Sequence, residues 1–179
     1  MRTLVAMIRG INVAGHNKVR MSDLRALVAG LGYRDVTTYI QSGNVVLTCE
    51  EGSDAQVARS IAGRMAEELG MDVSVVVRSS RELAQVVDSN PYVREGADDS
   101  DLHVTFLADV PEPELVAGID PARGAPHTFR VFERDIYLFC PGGYGRSKLT
   151  NAFFEQKLGV VSTTRNWRTV RELAVLAAR

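Results

Sequence analysis

Cysteine is scarce in this chain of 179 residues: only Cys49 and Cys140 carry a thiol, far apart in sequence. That excludes a disulfide framework and a cysteine-based zinc site. It points to a reducing compartment, and the chain is expected to be cytoplasmic. Histidine is scarcer than its chemistry would need. His16, His103 and His127 show no metal-ligand spacing, so neither a metal nor a cofactor is expected. Charge of one sign is missing too. The formal net charge is −1, so no global field draws the chain to nucleic acid or to an anionic membrane. No apolar run is long enough for a membrane span, and the N-terminal MRTLVAMIRGINV alternates like a strand. No carboxylate pair, nucleophile–base pair or P-loop spacing declares a reaction. What remains is ordinary globular composition, 45% hydrophobic and 24% charged, enough for a real core.

Apolar periodicity predicts an α+β fold. Thr3–Arg9, Asp35–Ile40 and Asn44–Cys49 read as strands, the last two as a hairpin across QSGN. Ser22 is expected to cap a helix over 23–31, and Ser53 or Asp54 a longer one stopped by Gly70. DVSVVVR is a fourth strand, followed by the helix RELAQVVD. REGADDSD, residues 94–101, reads as a linker between domains 1–93 and 102–179. The order then recurs. Strands at 102–108, 129–132 and 136–139 lead to a helix over 148–158, a short strand at 160–164 and a helix from Trp167.

Landmarks recur as well. Cys49 and Cys140 each end a third strand, and Leu69-Gly70 and Leu158-Gly159 each end the next helix. RELA stands at 81–84 and at 171–174, at 32 and 31 residues after the cysteine. Together they predict two ferredoxin-like βαββαβ-type halves related by internal duplication. Connection rules place the third strand of each half between the first two, with the fourth beyond the first. The strands are apolar on both faces, so the face away from the helices needs a cover. A second sheet or a second copy of the chain would serve.

That topology gathers polar residues at two rims. In the first half, Arg9, Asn12, Asn17 and Lys18 fall beside Gln41, Ser42 and Asn44. In the second, PGGYGRSK falls beside STTRNW, bringing Gly143, Gly145, Arg146, Ser147, Lys148 and Asn151 to Arg165, Asn166 and Trp167. If Ser147 caps the helix, its first N–H groups and dipole favour an anion. Arg146, Lys148 and Arg165 would add charge. The same glycines also suit a plain turn, QSGN suits a hairpin without a ligand, and Trp167 suits a core position. These alternatives stay open on sequence alone.

RGINVAGHNKVRM, TYIQSGNVV, YGRSKLTNAFFEQKLG and TTRNWRTV, in that order, resemble the bacterial family catalogued as domain of unknown function 1697. The resemblance runs from about residue 8 to residue 170. It implies a small cytoplasmic α+β protein of ferredoxin-like character and hands over no reaction. The leading expectation is a binder of a small anionic molecule, bearing phosphate or carboxylate. The alternatives are a single-stranded nucleic-acid module, stacking bases on Phe106, Tyr137 and Phe139, and a homodimerising interaction module without a membrane role.

Overall fold

The computed structural model describes residues 1–179 and divides them into two compact units. One comprises Met1–Ala84 and Leu173–Arg179, the other Gln85–Glu172. The elements are β1 (Arg2–Ile8), α1 (Met21–Ala29), β2 (Arg34–Tyr39), β3 (Asn44–Cys49), α2 (Asp54–Leu69), β4 (Val75–Ser79), α3 (Ser80–Asp88) and α4 (Pro91–Arg94). They continue with β5 (Leu102–Leu107), α5 (Pro113–Ala117), β6 (Thr128–Phe132), β7 (Asp135–Phe139), α6 (Asn151–Leu158), β8 (Ser162–Asn166) and α7 (Trp167–Ala177). No helix is long and apolar enough to cross a membrane.

The first unit holds a four-stranded antiparallel sheet in the order β2-β3-β1-β4, and the second holds one in the order β6-β7-β5-β8. The third strand of each lies between the first two, as connection rules anticipate. Strand alternation then sorts the side chains. In the first sheet Leu4, Ala6, Ile8, Val45, Leu47, Val75 and Val77 form one core with Leu24, Leu27 and Val28 of α1 and Val57, Ile61 and Met65 of α2. The spacing of those helical residues makes one apolar stripe on each helix. Burying each such side chain is worth roughly 1.5–3 kcal/mol. In the second sheet Leu107, Ile136 and Leu138 pack with Leu149, Phe154 and Leu158.

The opposite face of the second sheet has a helical cover within its own unit. Tyr92 of α4 lies 5.7 Å from Phe139, ring to ring, and shares a 2.9 Å hydrogen bond with Thr128. The Tyr137 hydroxyl donates to the Val86 carbonyl at 3.1 Å.

Three expectations need correction. Residues 94–101 are not a linker but lie inside the second unit. Their charges are each used locally: Glu95 pairs with Arg130 at 2.6 Å, Asp98 accepts from the Ser100 amide at 2.8 Å, and Asp99 pairs with Arg171 at 2.7 Å. Composition that mimics a solvated linker is turn-capping chemistry here. The unit boundaries fall within α3 and within α7 instead. Secondly, RELA is not an equivalent landmark. Arg78 and Arg165 are the fourth residues of β4 and β8, and they pair with Val5 and Val104 at matching places in β1 and β5. RELA begins three residues after Arg78 but six after Arg165. The cysteine and glycine landmarks do correspond. Cys49 pairs with Arg2, the Cys140 amide donates to the Asp101 carbonyl, and Gly70 and Gly159 both end their helices in the left-handed conformation. Thirdly, β8 starts at Ser162, two residues later than expected.

Candidate functional site

The first rim is assembled by the loop after β1. Asn12 adopts φ 54°, a conformation asparagine tolerates better than most residues. Its Nδ2 donates to the Val19 carbonyl at 3.0 Å and to the Gln41 carbonyl at 2.9 Å, while its Oδ1 accepts from the Val19 amide at 2.9 Å. One side chain thus ties both ends of the loop to the β2–β3 turn. Asn17 braces the same loop by donating to the Gly10 carbonyl at 3.0 Å. Gly43 closes the turn at φ 80°, where a Cβ would stand 2.7 Å from Ile11 Cδ1. The buried Asn44 is bonded to the Tyr39 carbonyl and the Ser42 hydroxyl. Asn12, Asn17 and Asn44 therefore build the rim.

These bonds shape a cleft of about 730 Å³, lined by Asn12, Gly15, Lys18, Val19, Arg20, Met21, Asp23 and Gln41. Lys18, Arg20 and Gln41 are exposed. Helix α1 begins in this cleft two residues earlier than its sequence suggests. Arg20 occupies the cap position, extended at φ −72°, and no side chain caps the first turn. Ser22 does not cap it, because its hydroxyl meets Asp23 Oδ1 at 3.4 Å. The amides of Met21 and Ser22 thus lack a capping acceptor, beside two cations and one carboxylate. Arg20 and Met21 escaped the sequence reading because the serine after them imitates a cap. Arg9 lies half-buried at the end of β1.

The second rim does not assemble as its sequence suggests. Helix α6 is capped by Thr150, whose Oγ1 accepts from the Phe153 amide at 3.2 Å. Ser147 stands three residues too early. Its Oγ accepts from the Leu149 amide at 3.1 Å and it bonds the Cys140 thiol. The loop amides are largely engaged. Gly142 donates to Asp101 Oδ1 at 3.2 Å, Gly143 to the Cys140 carbonyl at 2.8 Å, and Ser147 to the Tyr144 carbonyl at 2.8 Å. Arg146, Lys148 and Gly145 are exposed, but Arg165 is not with them. Alternation along β8 turns Thr164 towards Tyr144 and Asn151 and turns Arg165 to the other face. There Arg165 is 8% exposed and bonds Thr163 Oγ1 at 2.8 Å and the Thr164 carbonyl at 3.0 Å. Burial pushes its pKa down to about 10.

The remaining residues of that rim have structural duties. Asn151 Oδ1 accepts from Thr164 at 2.7 Å and from Ser162 at 3.2 Å, docking α6 on β8. Asn166 Oδ1 caps α7 through the Thr169 amide at 2.8 Å, and Trp167 is buried. Phe106 and Tyr137 are buried as well, so neither offers a ring on which a base could stack. No group of three or more His, Cys, Asp or Glu side chains is placed to hold a metal ion.

A family model for a protein of unknown function, DUF1697, matches residues 1–137. The chain belongs to the DUF1697 family. The matched span contains the whole first rim, whereas YGRSKLTN and TTRNW lie beyond it, so the resemblance carried by those two motifs rests on sequence likeness alone. None of the curated proteins matches. Among solved structures, a conserved bacterial protein, SP0830 from Streptococcus pneumoniae, is similar over 98% of both chains, with a TM-score of 0.69 and 19% identity. That likeness concerns the fold.

Proposed function

We propose that this protein binds a small anionic molecule, bearing phosphate or carboxylate, in the cleft of its first unit. The observation that carries the reading is the uncapped start of α1 opening into a cleft of about 730 Å³ between Lys18 and Arg20. Amides at a helix start and adjacent cations act on the same charge, and a preformed cleft spares the cost of ordering it. Gln41 offers both a donor and an acceptor for orienting the guest. Asp23 sets a limit, since its carboxylate disfavours a ligand whose charge extends along the whole cleft. Without a nucleophile–base pair in the lining, the reading is of binding, and any chemistry would rest on positioning and charge.

Thermal unfolding tests it with inorganic phosphate, pyrophosphate and a mononucleotide as probes. At about a hundredfold excess over Kd, a bound probe raises Tm by about 5 °C. Lys18→Ala/Arg20→Ala is expected to lose that rise while keeping its ligand-free Tm. Equal stabilisation of both proteins, or stabilisation of neither, refutes the reading.

We also infer that the two units descend from one duplicated βαββαβ unit of ferredoxin-like order. The shared strand order, the matching Arg78 and Arg165 registers and the two left-handed glycine caps support this. The first-rim cleft then belongs to one copy, since α1 is nine residues long and its counterpart α5 only five.

A further inference from the structure

We propose that Pro141–Leu149 is a strap over the helix-facing side of the second sheet, released when His103 takes up a proton. The strap is anchored through Gly142, Tyr144, Ser147 and Leu149. Tyr144 stacks on the His103 ring at 5.0 Å and 27°, and its hydroxyl reaches Thr164 only at 3.5 Å. Gly142 donates to Asp101 at 3.2 Å, Ser147 bonds the Cys140 thiol, and Leu149 is buried. Cys140 lies beneath it, fully buried.

His103 is poorly placed to carry charge. It hydrogen-bonds the Asp101 backbone, which engages one ring nitrogen, while its Nδ1 is buried with no hydrogen-bond partner. A second proton would therefore sit at Nδ1 with no acceptor. A second histidine is close enough to oppose that charge: His127, 7% exposed, whose Nδ1 is likewise buried without a partner. The other groups around the ring do not compensate. The Asp101 carboxylate attracts the charge but already accepts from the strap. Burial pushes the Cys140 thiol up to about 11, so it stays neutral. Asn166 stands opposite His103 on β8, Arg146 and Lys148 are exposed on the strap, and Arg165 points to the other face. Burial first, and His127 last, hold His103 below its ordinary value, while Asp101 partly opposes them.

The sign follows from linkage. The closed form binds the His103 proton less well than the open form, whose imidazole is hydrated. The open fraction therefore grows as pH falls below the ordinary histidine value, and it stops growing once pH passes the depressed value of the closed form. Tyr144 then leaves the imidazolium to water, and Cys140 becomes reachable.

The test uses Cys49→Ala, which leaves Cys140 as the single thiol. Its labelling by a pyridyl disulfide active in mild acid is measured from about pH 8 to about pH 5, relative to free cysteine under the same conditions. The relative rate is expected to rise severalfold as pH falls through the ordinary histidine range. Trp167 emission and far-ultraviolet dichroism stay unchanged. In the same background His103→Phe keeps the stack without the titration, and His103→Gln removes the titration with a polar side chain. Both are expected to label slowly at every pH, and if one fails to fold the other decides. A flat profile in the His103 protein overturns the proposal. So does the same rise in any folded His103 variant, or a rise that tracks loss of dichroism.

Discussion

Asn12 shows how little of a residue's role is visible in its type. In sequence it belongs to a polar cluster at a rim and reads as a ligand group. In the fold its side chain makes three hydrogen bonds to main-chain atoms at Val19 and Gln41, so its polarity is spent on the loop itself. Asn12→Ala leaves those groups short of partners and places alanine at φ 54°. Chemical denaturation is expected to show a loss of about 2 kcal/mol. A loss below about 0.5 kcal/mol, the usual range for an inert surface position, would return Asn12 to the ligand role. Asn44, Asn151 and Asn166 follow the same logic. Each satisfies local backbone or hydroxyl partners that no residue-type argument could have named.

At the scale of elements, legibility followed the strength of local chemistry. The long helix α2 has a complete capping box, Ser53 with Gln56, and a left-handed glycine stop. The sequence alone located it closely. The start of α6 was misplaced because two hydroxyl residues compete for the cap three positions apart, and only packing decides between them. Leu149 must be buried before the helix begins, so Thr150 wins. Thr150→Ala is expected to cost about 1 kcal/mol in urea denaturation, and Ser147→Ala less. The reverse ranking would reinstate Ser147 as the cap and with it an anion site at the second rim. The start of α1 was misread for a related reason: Ser22 is a good capping type, yet its hydroxyl turns to Asp23. That error hid Arg20 and Met21, two of the residues that line the cleft.

At the scale of the whole molecule, the α+β class, the eight strands and their order were readable from alternation and connection rules. Which side each arginine faces was not, because a strand expected at 160–164 leaves Arg165 in a loop, whereas β8 runs on to Asn166 and the pleat decides its face. The unit boundaries were also hidden. A charged stretch marked 94–101 as the divide, whereas the first unit needs Leu173–Arg179 from the end of the chain. A chain cut to residues 1–93 is therefore expected to lack a cooperative thermal transition and native-like dichroism. A folded 1–93 fragment would contradict the division. The central functional claim is that the cleft at the start of α1 takes the anion. Amide-resolved NMR of the intact protein, titrated with pyrophosphate, tests it most directly. The account predicts saturable shifts at Met21, Ser22 and Gln41 that vanish in Lys18→Ala/Arg20→Ala; shifts confined to Gly143–Lys148, or no saturable shift at the start of α1, would contradict it.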